Sequence, residues 1–274
     1  MNQKEQRRAL QTAVAAALEA GRLMRRNANA AKTVHVATRH DIKLELDVRC
    51  QTLIQRRLLD GFPSSAVLGE EGVAGDARSP LRWVVDPIDG TVNFTYGIPH
   101  ACVSVALDLR DSKSAGGYRT VVGVVYDPFA VELWTAIRGK PARLNGRSIR
   151  VSDRPKLADT IVSVGFGKDA DALGRMLPML QRLVHRVRKI RIMGSAALAL
   201  TYVASGRFDA YVEPRLSLWD IAAGGLIVEC TGGVYRPRPL AGEHAFEVIA
   251  SNGLLHRPLE RQLQIGSASC RDRA

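Results

Sequence analysis

The hexapeptide Asp86-Pro87-Ile88-Asp89-Gly90-Thr91 constrains this chain more than any other stretch. It follows Leu81-Arg82-Trp83-Val84-Val85, an apolar run rich in β-formers that reads as a buried strand. Proline cannot donate to a sheet ladder, so this strand is expected to stop at Asp86. Two carboxylates then stand three residues apart at a strand end, followed by a glycine and a threonine. Glycine lets backbone approach a ligand closely, and free amides at a turn or helix start attract anions. Hard oxygen ligands beside an anion cradle suit a divalent cation that holds a phosphate. Asp-Gly is also an ordinary turn signal, so the hexapeptide alone leaves both readings open.

Further carboxylates bear on that choice. Ala66-Val67-Leu68 reads as a short strand delivering Gly69-Glu70-Glu71-Gly72, and Asp220 lies at the start of an apolar helix expected over residues 219–230. Asp47 shares a helical stripe with Cys50, Ile54 and Leu58 in a helix expected over 44–60. A charge on a core-facing stripe must be paired or bind a metal, whereas a cap at a frayed helix start is the plain alternative. Taken singly, each acid is ordinarily a cap, turn or surface charge. Four acids after strands or at a helix start, Glu70, Asp86, Asp89 and Asp220, together favour a metal site. Gly194-Ser195-Ala196 opens another helix, read either as a serine N-cap or as amides facing a ligand.

The surrounding pattern is mixed α/β. An amphipathic helix is expected over 3–26, with Leu10, Val14, Leu18, Gly21 and Met24 at helical spacing. A short alternating segment at 33–37 and the helix over 44–60 follow. A loop is expected at 72–80, then strands over 81–86, 101–109, 120–127 and 131–137, and a hairpin at Asn145-Gly146. After Pro155 the expectation is strand 160–164, helices near 169–187 and 195–205, strand 208–213, the helix over 219–230, strand 246–250 and a last helix near 253–264. These divide into an N-terminal α+β lobe at 1–154 with a largely antiparallel sheet, and a C-terminal α/β lobe at 155–274.

Several other readings are set aside. Gly165-Phe166-Gly167-Lys168-Asp169-Ala170 imitates a dinucleotide fingerprint, but residues 172–208 contain no acid to hold a ribose. The six histidines lack ligand spacing, and the four cysteines, with no CxxC pair, read as small thiols suited to a reducing cytoplasm. No apolar run reaches the roughly 18 residues of a membrane span, and the N-terminus lacks a signal-peptide pattern. The net charge of +12 (39 basic against 27 acidic residues) favours anionic partners without choosing among them. Five cations within Arg182–Arg191 read as a solvated helix end or as a weak backbone-binding patch for nucleic acid.

The motifs resemble those of the inositol monophosphatase family, magnesium-dependent and lithium-sensitive phosphatases. Gly69-Glu70-Glu71 with Asp86 through Phe94 matches its first signature, and Trp219-Asp220-Ile221-Ala222-Ala223-Gly224 its second. Arg138-Gly139-Lys140, Leu144-Asn145-Gly146 and Gly194-Ser195-Ala196-Ala197 extend the likeness across nearly the whole chain.

The resemblance implies a layered α-β-α-β-α sandwich, a homodimer, and two to three Mg²⁺ ions between the lobes. Carried over by position, Glu70, Asp86 and the Ile88 carbonyl hold one ion, Asp86, Asp89 and Asp220 a second, and Glu70 assists a third. Gly90 and Thr91 bind phosphate, Thr91 with Asp47 orients the attacking water, and Gly194, Ser195, Ala196 and Glu213 face the alcohol portion. The implied reaction is hydrolysis of a small phosphorylated polyol, inositol 1-phosphate foremost. A 3′-phosphoadenosine 5′-phosphate or sugar-phosphate substrate, and a nucleic-acid-binding or regulatory role, are the alternatives. Two departures from the family stand out: Leu44 replaces a customary threonine before Asp47, and Arg215 adds a cation between Glu213 and Trp219.

Overall fold

The structure is a computed structural model and describes residues 1–30, 34–37, 42–76, 78–114, 116–166 and 170–263. Its first part runs α1 (Gln3–Asn27), β1 (Val34–Ala37), β2 (Ile42–Leu44), α2 (Glu45–Gly61), β3 (Ala66–Gly69), β4 (Gly72–Gly75), β5 (Leu81–Asp89), α3 (Thr91–Thr95), β6 (Cys102–Arg110), β7 (Tyr118–Asp127), β8 (Glu132–Ile137), β9 (Arg143–Leu144) and β10 (Arg147–Ser148). Its second part runs β11 (Ile161–Val164), α4 (Ala170–Val184), β12 (Lys189–Arg191), α5 (Ala196–Ala204), β13 (Ala210–Ser217), α6 (Leu218–Glu229), β14 (Val234–Pro239), β15 (Ala245–Ser251) and α7 (His256–Leu263).

Strand residues alternate between faces, and this alternation sorts the apolar side chains into three cores. Trp83 and Val85 of β5, Val103, Val105 and Leu107 of β6, and Val122 and Val124 of β7 face a core shared with α1 and α2. Val84, Ala106 and Val125 point the other way, into a core with α5 and α6. That middle core also takes Tyr211 of β13 and Val248 and Ala250 of β15. Ala210, Val212 and Ile249 reach a third core with Met176, Leu183 and Leu259 of α4 and α7. Three cores between five layers give the α-β-α-β-α sandwich expected from the family resemblance.

The larger sheet has the order β10-β9-β8-β7-β6-β5-β3-β4, and the smaller β12-β11-β13-β15-β14. In the larger sheet, among the described residues, only β3 and β5 run parallel. In the smaller, β11 lies parallel to both β12 and β13. The Asn145-Gly146 hairpin is present, with both residues at positive φ as a tight two-residue turn requires.

Several expectations are corrected. β5 does not stop at Asp86 but continues to Asp89 through an irregular register. The segment 72–80, expected as loop, begins with the edge strand β4. β12 and β14 were not anticipated; β14 contains Pro237 and Pro239, which an edge strand tolerates because one flank of its ladder has no partner. α4 ends at Val184 rather than 187, and α7 begins at His256 rather than 253.

The buried stripe of α1 is only in part the expected one: Gly21 and Met24 are buried as expected, but alanines fill the rest. Ala9, Ala13, Ala16, Ala17 and Ala20 are fully buried with Met24, whereas Leu10, Val14 and Leu18 only flank the core. The helix lies so close to the sheet that a Cβ on Gly21 would come 2.5 Å from the Tyr126 ring. Small residues therefore take the contact face.

Candidate active site

Two strand irregularities, each containing a proline, shape the site. On β5, Asp86 pairs with Ser104 and Asp89 with Cys102, so one extra residue is accommodated at Pro87-Ile88. On β13, Glu213 pairs with Val248 and Leu216 with Phe246, leaving an extra residue at Pro214-Arg215. A bulge suits a residue with no N–H to give and re-aims the neighbouring side chains. The carboxylates of Asp86, Asp89 and Glu213 thereby border a common cleft.

That cleft, of about 280 Å³, is lined by residues of both sheets and of the helices between them. Its lining includes Glu70, Asp86, Asp89, Gly90, Thr91 and Asp220. Oxygen atoms of Asp86, Asp89 and Asp220 all lie within 4.8 Å of one another. Asp86 and Asp89 are buried, and Asp220 is half-buried at the start of α6. Burial pushes the Asp86 carboxyl well above its ordinary range, and the charges of Glu70, Asp89, Asp220 and Asp47 push it further. Such a hard, oxygen-only donor set with mutually repelling charges fits a divalent cation, which would relieve the repulsion.

Hydrogen bonds fix each carboxylate. The Ile88 amide donates to Asp86 Oδ1 at 3.0 Å, and the Ser217 amide donates to Asp220 Oδ2 at 2.7 Å. Asp89 is received by the start of α5. Ser195 Oγ donates to its Oδ2 at 2.6 Å, the Ala197 amide to the same oxygen at 2.7 Å, and the Ala196 amide to Oδ1 at 3.3 Å. Burial raises the Asp89 pKa while these donors pull it back down. The Ser195 and Ala196 groups expected to face the substrate's alcohol portion are thus also engaged with Asp89. Thr91 Oγ1 donates to the Ile88 carbonyl at 2.8 Å, so the threonine braces the turn from which that carbonyl projects.

Asp47 is placed differently from the other expected site residues. It is buried at the start of α2, where its Oδ2 accepts from the Leu44 amide at 2.7 Å, and it is not among the residues lining the cleft. The capping alternative is therefore realised, although its charge still reaches Asp86. Gly194 and Glu213 both line the cleft.

Three contributors were not singled out in the sequence. Asn93 Nδ2 donates to the carbonyls of His100 (2.9 Å) and Met193 (2.8 Å), tying α3 to the turn before α5. Gln51 accepts from the Glu71 amide at 2.8 Å and donates to the Gly72 carbonyl at 3.1 Å, fixing the turn that carries Glu70. Cys102 Sγ lies 3.7 Å from Asp89 Oδ2. Each acts through contacts distant in sequence, which no local pattern reports.

Residues 5–263 match the sequence model of the inositol monophosphatase family. The chain belongs to that family. Among family members it is 39% identical over 232 residues to Nus factor SuhB of Xylella fastidiosa, covering 83% of this chain and 81% of that protein. It is 38% identical over 231 residues to the inositol-1-monophosphatase of Rhizobium meliloti, covering 82% and 83%. The solved structure of extragenic suppressor protein suhB from Bartonella henselae superposes with a TM-score of 0.83 at 35% identity, covering 94% of this chain and 99% of that one. Thermotoga maritima IMPase gives 0.78 at 32% identity, covering 92% and 94%. Inositol monophosphatase family membership supports a phosphatase, and the Asp86, Asp89 and Asp220 cluster is where this chain can hold the family's magnesium. Among the described residues no helix is long and apolar enough to cross a membrane.

Proposed function

We propose that the protein is a Mg²⁺-dependent phosphomonoesterase acting on a small phosphorylated polyol such as inositol 1-phosphate. The observation that carries this reading is the convergence of Asp86, Asp89 and Asp220 in a cleft that is also lined by Gly90, Thr91 and Glu213. Bound by Glu70, Asp86, the Ile88 carbonyl, Asp89 and Asp220, two to three Mg²⁺ ions would supply neutralisation of phosphate charge and acidification of water. Gly90 and Thr91 receive the phosphate. Thr91 and Asp47 are assigned to orienting the attacking water, as the family resemblance implies. Gly194, Ser195, Ala196 and Glu213 meet the alcohol portion. Phosphoryl transfer asks chiefly for in-line positioning and charge stabilisation, which carboxylates and amides provide without a covalent nucleophile. A homodimer working in the cytoplasm completes the reading.

The test is phosphate release from a panel containing inositol 1-phosphate, 3′-phosphoadenosine 5′-phosphate, sugar phosphates and p-nitrophenyl phosphate, across a Mg²⁺ titration. Preference for the adenosine bisphosphate would replace the polyol reading.

A second role is favoured by the relatives named Nus factor SuhB and by the net charge of +12. The basic run begins in the last turn of α4 and passes through the connection at 185–188, where Arg188 pairs with Asp159 at 2.8 Å, into the edge strand β12. Filter binding of RNA across a salt series, with wild type and an Arg186/Arg188/Lys189→Glu variant, tests it. Binding through backbone phosphates should fall steeply with salt. Absence of binding near physiological salt would remove this reading.

A further inference from the structure

The cleft lining also includes the apolar residues Val164, Phe166, Met193 and Leu216, and Glu213 brings a carboxylate to it. A carboxylate on such a wall serves recognition only if its orientation is held. Tyr211 lies two residues earlier on β13, on the same face, and both side chains are buried. The Tyr211 hydroxyl donates to Glu213 Oε2.

Gly165 leaves the room for this arrangement. A Cβ there would come 1.8 Å from Glu213 Oε2, and the Gly165 amide is itself fixed to the Val212 carbonyl at 3.0 Å. The Gly165 backbone and the Tyr211 phenol thus both bear on the same oxygen, Oε2, and define where the carboxylate sits. The bulge at Pro214-Arg215 begins directly after it.

We propose that Tyr211 is a positioning residue for substrate choice, holding Glu213 in the orientation in which its carboxylate accepts hydrogen bonds from hydroxyls of the substrate's alcohol portion. This rests on the polyol reading given above and extends it to a residue outside the family signatures. Burial, with the Glu213 charge adding to it, pushes the Tyr211 phenol up, so it remains a donor throughout the neutral range. A site built to pair a hydroxyl discriminates strongly against substrates that lack one, provided its polar group is pre-oriented.

The experiment compares wild type, Tyr211→Phe, Glu213→Ala and the double variant on inositol 1-phosphate and p-nitrophenyl phosphate at saturating Mg²⁺. Phenylalanine keeps the ring in the middle core and removes only the donor. Tyr211→Phe should raise KM for inositol 1-phosphate by about tenfold, the scale of one lost hydrogen bond to a charged group. Its kcat/KM for p-nitrophenyl phosphate should stay within about twofold of wild type. In the Glu213→Ala background, Tyr211→Phe should add less than about twofold, because the two residues act as one unit.

Gly165→Ala crowds the same carboxylate oxygen and should produce the same split with Tyr211 intact. Equal losses on both substrates, additive losses in the double variant, or loss of the folded state in Tyr211→Phe as judged by thermal melting, overturn the positioning role. Should wild type show no preference for inositol 1-phosphate over p-nitrophenyl phosphate, the polyol reading falls and takes this proposal with it. A wild-type preference that survives in Tyr211→Phe overturns the positioning role alone.

Discussion

Ser195 Oγ and Asp89 Oδ2 are 2.6 Å apart although 106 residues separate them in the chain. One stands at the start of α5, the other at the end of β5, so this bond orients a carboxylate of the acidic cluster from across the cleft. Partners that orient a metal ligand typically matter by 10–100-fold in affinity or activity. Ser195→Ala should therefore raise the Mg²⁺ concentration for half-maximal activity at least about tenfold, and Ser195→Thr should restore most of it. Because Ser195 Oγ also accepts from the Leu198 amide, the Ala variant should lose about 1 kcal/mol of stability as well. An unchanged Mg²⁺ titration would show that Asp89 needs no such support.

Asp86 sits buried among like charges, and its replacement separates stability from function. In buffer with EDTA, Asp86→Asn should melt at a higher temperature than wild type, since one repelling charge is gone. Its turnover should be abolished, and added Mg²⁺ should no longer raise its melting temperature as expected for wild type. A lower melting temperature in EDTA, or full activity there, would contradict the cluster's assignment.

Gly90 has φ of 93°, and a Cβ on it would approach the His100 carbonyl to 2.9 Å. Gly90→Ala combines backbone strain with that collision and should cost on the order of 1–3 kcal/mol in urea unfolding. Activity should fall with it, because the same turn presents Thr91. A variant as stable as wild type would mean that the turn has another accessible conformation.

His100 gives the protein a specific pH dependence. Its ring is buried against Tyr202, with centroids 5.9 Å apart, and burial lowers its pKa below the ordinary 6.5. The folded state therefore favours the neutral ring. The associated stability is fully present above pH 6.5 and is lost as pH falls through the depressed folded value. His100→Phe should have a flatter stability profile than wild type on the acidic side of pH 6.5. Parallel profiles for the two proteins would assign the acid loss to other groups, His256 first, whose pKa burial also lowers.

Much of the fold was legible because burial imposes periodicity on a sequence. Val84 against Trp83 and Val85, or Val212 against Tyr211, are alternations that mark strands with two covered faces. The acidic motifs were legible for a different reason. A proline and glycines at a strand end leave few roles for the acids beside them, and Asp86, Asp89, Glu70 and Asp220 do line one cleft. The edge strands β12 and β14 were not legible, because a strand paired on one flank only need not be continuous or free of proline.

The sequence by itself determined which residues carry charge, which segments bury apolar faces, and where the chain must turn. Only the tertiary structure decided that Pro87 sits inside a bulge instead of ending β5, since that depends on how Ser104 and Cys102 pair opposite it. Only the tertiary structure gave α1 an alanine face, because the required side-chain size is set by the distance to the sheet. And only it joined Asp89 to Ser195 and Glu213 to Gly165. Local propensity acts over a few residues, whereas the position of a buried charge is settled by donors and open space brought in from the far end of the chain.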